Sequence, residues 1–253
     1  MSRPRSSRWL PFPAKTDWFM RRFGDASPDI DIDLASLARP DAVTRVLAAV
    51  TRTSAGPEPE EAHIWALPVG VRTAALLRTA LGEAGTLQRV VRCRACLERS
   101  EIELPLSELP PPPCDPLQLE VDGEPWMLRL PSGADQRAWQ LAGVEPLAVA
   151  QSLLLTPREL RPDLLPRLAD AMHEHDPLTD FHVATQCVNC EAGILAPLDL
   201  EHIALGVLAV AQRRVLDDVH RLARAYHWSE AQILALPAWR CAAYLERVDG
   251  RRA

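Results

Sequence analysis

Residues 92–109 read RCRACLERSEIELPLSEL, and residues 186–200 read QCVNCEAGILAPLDL. Each places two cysteines three positions apart and then runs at once into strand-like alternation. Extended outward, the first unit is RVVRCRACLERSEIELPLS and the second is DFHVATQCVNCEAGILAPLD. Both predict a strand, a tight C-x-x-C turn, a second strand and a Pro-Leu exit. Such a turn aims two thiolates at one point, and two such turns supply the four soft ligands that a tetrahedral Zn2+ ion takes. Cys93, Cys96, Cys187 and Cys190 are therefore assigned to one structural zinc site.

The separation is the objection, since about ninety residues lie between the pairs and an ordinary ribbon has roughly fifteen to twenty. Loop-closure cost grows only with the logarithm of length, so the longer path adds about 1.6 kcal/mol. A structural zinc contributes roughly 10–16 kcal/mol, so the metal outweighs the loop. Three other uses of the cysteines compete. A redox C-x-x-C motif sits at a helix N-terminus, which lowers its thiol pKa, whereas each pair here precedes a strand-like run. The cysteines could instead simply pack, because Leu97 and Glu191 stand where a knuckle normally has glycine. A catalytic zinc needs an open position and usually a histidine. His173, His175 and His182 are near in sequence, but HEHD at 173–176 reads as a helix end with solvated side chains. Cys114 and Cys241 have no paired neighbour and read as a loop thiol and a packed thiol.

With 253 residues and 47% apolar content the chain can bury sizeable cores. A net charge of -6 argues against a general nucleic-acid binder, which needs clustered cations to neutralise phosphates. The longest apolar run, IALGVLAVA at 203–211, falls short of the roughly 18 residues of a membrane helix. The N-terminus has positive charge but no apolar h-region, so a cytoplasmic chain with reduced cysteines is expected. No Gly-rich phosphate loop, G-x-S-x-G elbow or H-E-x-x-H motif is present, and none of these patterns predicts an enzyme.

Residues 1–23 form a basic aromatic arm: six cationic residues against the single acid Asp17, with too many prolines and too little periodicity for a helix. It reads as a docking peptide that folds on a partner or on the chain's own acidic body. Its candidate contacts are Trp9, Phe12, Trp18, Phe19, Arg21, Arg22 and Phe23. Beyond it, Asp29, Asp31 and Asp33 alternate with Ile30 and Ile32 as the exposed face of a strand would. Residues 24–66 read as a helical and loop segment, with helical spacing at 41–52.

A knuckle domain follows over 67–200, opened by a helix at 69–82 and carrying an inserted subdomain at 110–180. The insert begins with a polyproline spacer, LPPPPCDP, and a hairpin turning on Asp122-Gly123. Helices are predicted near 133–141, 146–155 and 162–174. The C-terminal region, 201–253, is helical: apolar residues at helical spacing predict one long helix over 200–226. Ser229 with Gln232 forms a capping box, and Pro237 opens a last helix. The expected fold class is α+β and mostly helical, a zinc-ribbon-like pair of knuckles with an inserted hairpin and helical subdomain and a long C-terminal helix.

The order of these pieces carries a resemblance. A helix, C-x-x-C with LPLSELPPPP, the hairpin VDGEPWMLRLP, helices, HDPLTD, a second C-x-x-C with APLDL and a long closing helix together resemble the T4-type baseplate family of contractile-tailed phages and phage-tail-like injection systems. The resemblance covers about residues 67–222. The closing RLARAYHWSEAQILALPAWRCAAYLE is similar to a short tail-cluster motif, Y-H-W-S-E-x-x-I-x-x-L-P followed by basic and aromatic residues. It implies a non-enzymatic part in building the baseplate or hub, as a built-in component or an assembly chaperone. Partners would be other baseplate, hub or tail proteins, with no nucleic acid, membrane or small-molecule substrate, in the cytoplasm or within the particle. By that match the four cysteines carry over as the family's paired motif; the absent knuckle glycines and the basic arm depart from it. A zinc-ribbon nucleic-acid or regulatory adaptor and a thiol oxidoreductase are the alternatives.

Overall fold

Residues 9–24, 29, 31–56, 58–156 and 158–250 are described in this computed structural model, and among them the chain forms nine strands and nine α-helices. The arm opens the fold. Strand β1 (Leu10–Phe12) pairs antiparallel with β2 (Lys15–Met20), which also pairs with β3 (Thr51–Thr53) at the end of α1 (Arg39–Val50). Period-2 alternation turns Trp18 and Met20 inward, and Phe12 meets Trp18 edge to face at 5.4 Å. Thr51 and Arg52 continue the helical spacing of α1 in sequence, yet they extend because β2 offers them ladder hydrogen bonds.

The acidic segment differs from its sequence reading. Asp29 lies on no exposed strand; it is fully buried, and the Arg21 guanidinium forks onto its carboxylate at 2.5 and 2.7 Å. The Gly24 N–H donates to the same carboxylate at 2.7 Å. A bidentate pair with further donors of this kind offsets the cost of taking both charges out of water.

The main core joins this first sheet to α1, α2 (Glu61–Trp65), α3 (Val69–Leu81) and the first half of the long C-terminal helix. Met20, Val46, Leu47, Ile64, Leu76 and Leu208 are all sealed within it. At its centre is a buried cation: Arg72 donates to the carbonyls of Ile64 and Pro40 and to Thr44 Oγ1, each at 2.9 Å. Burial lowers its pKa to about 10, with Glu201 and Asp41 opposing that fall.

Strands β4 (Thr86–Arg92) and β5 (Arg99–Pro105) form the first ribbon. The next hairpin, β6 (Leu117–Val121) and β7 (Glu124–Leu128), turns through Asp122 and Gly123 at φ 55° and 80°. Both values being positive marks the type I′ turn that matches strand twist. Helices α4 (Gly133–Ala142), α5 (Pro146–Leu153) and α6 (Leu165–His175) follow, α4 opened by a capping box of Ser132 and Asp135. These elements hold a second core, Leu117, Val121, Trp126, Leu128, Leu153 and Leu168 among its members, built wholly from residues between the two knuckles.

Two backbone hydrogen bonds dock this insert on the main body, Val69 N–H to Pro131 O at 2.8 Å and Gly133 N–H to Leu67 O at 3.2 Å. A Cβ on Gly133 would lie 2.3 Å from Arg72 Cζ, so glycine lets the two layers meet. Asp176 is a second such contact. It is fully buried rather than solvated, its carboxylate packed on Gly70, where a Cβ would lie 2.2 Å from Oδ1. Pro68 leaves the N-terminus of α3 without a side-chain cap, and a carboxylate there faces the positive end of the helix dipole. Burial nevertheless pushes the Asp176 carboxyl above its ordinary value.

The second ribbon, β8 (Phe181–Gln186) and β9 (Gly193–Leu198), leads into α7 (Leu200–Tyr226), of 27 residues. A short α8 (Glu230–Leu234) with its Ser229 and Gln232 capping box reverses the chain, and α9 (Ala238–Val248) packs back on α7. Tyr226, Trp228 and Tyr244 fasten that reversal with ring centroids 4.7–5.4 Å apart. Among the described residues no helix is long and apolar enough to cross a membrane.

Candidate metal centre

Each knuckle is made by the same local hydrogen bonds. Cys93 N–H donates to Glu98 O and Leu97 N–H to Cys93 O; Cys187 N–H donates to Ala192 O and Glu191 N–H to Cys187 O. All four bonds are 2.8–3.0 Å long. The residue after each second cysteine must therefore turn left-handed, and Leu97 and Glu191 do so at φ 63° and 58°. The knuckle backbone is thus present at the two positions that lack the usual glycine.

The β4–β5 and β8–β9 ribbons bring these turns together across about ninety residues of chain. Sγ of Cys93 lies 3.7 Å from that of Cys190, and Sγ of Cys96 lies 3.5 Å from that of Cys187. Each ribbon's first cysteine thereby faces the other's second, and all four sulfurs fall within 4.8 Å of one another. A tetrahedral ion with metal–sulfur bonds of about 2.3 Å sets its ligands about 3.8 Å apart. The cluster has the size and donor set to hold one such ion. Cys93 and Cys187 are buried, with Ile194, Ala196, Val91 and Ala192 around them, while Cys96 is half-buried and Cys190 exposed.

The thiols are unequal. Backbone N–H groups of Asn189 and Cys190 pull the Cys187 thiol down to about 6. The Ala192 N–H favours a thiolate on Cys190 too, but protons shared with Cys96, Cys93 and Cys187 push it up to about 12. A metal ion binds such sulfurs as thiolates, so its binding would release protons from the cluster. Cys114 is exposed and Cys241 half-buried, and neither belongs to the cluster.

The arm residues do not converge on a free surface. Phe12, Trp18 and Arg21 are buried in the chain's own body, and Phe23 packs on the main core. The Arg52 guanidinium lies 4.0 Å from the Trp9 ring centre, Phe19 is half-buried in β2, and Arg22 alone of the seven is exposed. The side chains of Phe12, Trp18 and Arg21 are spent on the fold. The arm docks on its own body through apolar burial and one buried ion pair.

Two cavities border the ribbons. One, of about 480 Å3, is lined by Val91, Arg92, Arg94, Ala192, Ile194 and Leu195. The other, of about 240 Å3, is polar, with Arg39, Thr73, Gln136, Asp180, Asp199 and Glu201 in its wall. A second group of metal-type donors, His173, Asp180 and His182, lies at the far end of β8; the sequence reading set the two histidines aside and did not join Asp180 to them. The D-x-H alternation at 180–182, where β8 begins, was the available signal. No protein-family model, curated protein or solved structure matches the chain.

Proposed function

We propose that the protein is a non-enzymatic structural or assembly component of the baseplate or hub of a phage-like contractile tail or injection system, with Zn2+ in the four-cysteine cluster. The observation that carries this reading is the meeting of two distant knuckles at one sulfur cluster. It makes a rigid mount from which apolar side chains project: Leu97 is 67% and Val188 78% exposed at the two turns, and Leu195 65% exposed farther along β9. Apolar groups grouped on a fixed support are what a docking surface between assembled subunits uses. The ordered set of motifs over residues 67–222 supplies the kind of assembly. Zinc is the ion that four thiolates in a tetrahedral arrangement suit best.

Co-expression with baseplate, hub and tail proteins of a contractile system from the same genome tests the proposal. The expected result is a stable co-purified complex that contains about one zinc per chain, and a Leu97→Asp, Val188→Asp variant that keeps its zinc but leaves the complex. A chain that purifies alone with every such protein present would overturn it. Exposed Arg89, Arg92, Arg94 and Arg99 along the first ribbon favour one second reading, a nucleic-acid adaptor. A DNA mobility shift that weakens steeply with salt would select that reading instead.

A further inference from the structure

We infer that His173, Asp180 and His182 form a second metal site, for a divalent transition-metal ion such as Zn2+ or Ni2+, separate from the four cysteines. One donor atom from each of the three lies within 4.8 Å of the others. His182 precedes Cys187 by five residues along β8, and an extended chain rises about 3.3 Å per residue, so about 16 Å separates the two sites. The donors come from two elements. His173 lies in the last turn of α6, and Asp180 and His182 share one face of the extended chain that starts β8, two residues apart. The turn at Pro177–Thr179 folds these pieces onto each other.

Two features distinguish the cluster from a chance surface pairing. His173 Nδ1 is buried and has no hydrogen-bond partner, a state that is unfavourable unless something binds there. The His173 and His182 rings stand edge to face, centroids 5.7 Å apart, which brings their nitrogens within reach of one ion. The His182 Nδ1 lies 3.1 Å from the Asp180 carbonyl and 3.8 Å from its carboxylate. A backbone partner of this type fixes the ring and its tautomer, the outer-shell arrangement of metal-binding histidines. Metal–ligand bonds of about 2.0–2.2 Å set neighbouring donors about 3–3.5 Å apart, so side-chain shifts of about 1 Å close the site. Two imidazoles and a carboxylate suit Zn2+, Ni2+ or Cu2+ rather than Ca2+ or Mg2+. Bound there, an ion ties the end of α6 to the start of β8, where the chain leaves the second core and returns to the ribbons.

Titration of the full-length, metal-free protein with Co2+ tests this. The wild type is expected to take two equivalents, one with intense thiolate-to-cobalt charge-transfer absorption and one with only weak d–d bands. His173→Ala with His182→Ala should remove the second and leave the charge-transfer band, which serves as the internal control for folding. Asp180→Asn, at an exposed side chain, should weaken the second equivalent about 10- to 100-fold and decides the matter if the double variant does not fold. A single equivalent in the wild type, or a second one undiminished in both variants, would show a metal-free His–Asp pair only and overturn the inference.

Discussion

Leu97 and Glu191 hold the one backbone conformation in each knuckle that an L-residue resists. A left-handed φ costs a side-chain-bearing residue about 1–2 kcal/mol, and glycine avoids that at an unfolded-state entropy cost of about 0.5–1 kcal/mol. Leu97 is largely exposed, so its side chain returns little burial energy in exchange. Melting of the zinc-loaded protein should rank Leu97→Gly at or above wild type and Leu97→Val clearly below, since a β-branched side chain at positive φ is worse still. A valine variant as stable as wild type would mean that the turn does not hold the conformation described.

The elements legible in sequence are those whose signals are local. Four cysteines in two C-x-x-C turns, Asp122-Gly123 between alternating strands, and apolar spacing over 200–226 each announce an element within its own stretch. The first sheet does not, because its ladder joins residues 18–20 to residues 51–53, and Thr51 and Arg52 also fit a helical period. Asp29 is equally silent: a carboxylate alternating with isoleucine reads as exposed until Arg21 is seen to reach it. The same holds for His173 and His182, which meet only through the fold at Pro177–Thr179. The consequence for the arm is measurable by chemical denaturation. Trp18→Ala should cost about 3–5 kcal/mol as a core truncation, whereas exposed Arg22→Ala should stay within about 0.5 kcal/mol. Equal small effects at both would return the arm to the role of a detachable peptide.

Over the whole molecule the stabilising energy is unevenly spread, and this decides what a metal held by the four cysteines would do. The main core and the core of the insert each bury many large apolar side chains, whereas the knuckle cluster buries only Cys93, Cys187, Ile194 and Ala196. At about 25 cal/mol per Å2, these side chains together with Ile102 on β5 contribute only a few kcal/mol, too little to order two long ribbons. Their bases are secured separately, since Leu87 is buried in the main core and Leu104, Phe181 and Leu198 pack against it. Chelation should therefore free the ribbon tips and leave the rest of the chain folded. Hydrogen exchange is expected to rise at about residues 90–101 and 184–195, with residues 117–168 and α3 still protected. Lowering the pH should act in the same direction, because protons compete with the metal for thiolates and a metal site falls apart as its ligands protonate. If chelation instead unfolds the insert together with the ribbons, the two cores are coupled through the sulfur cluster, and the metal determines the whole fold rather than one projecting mount.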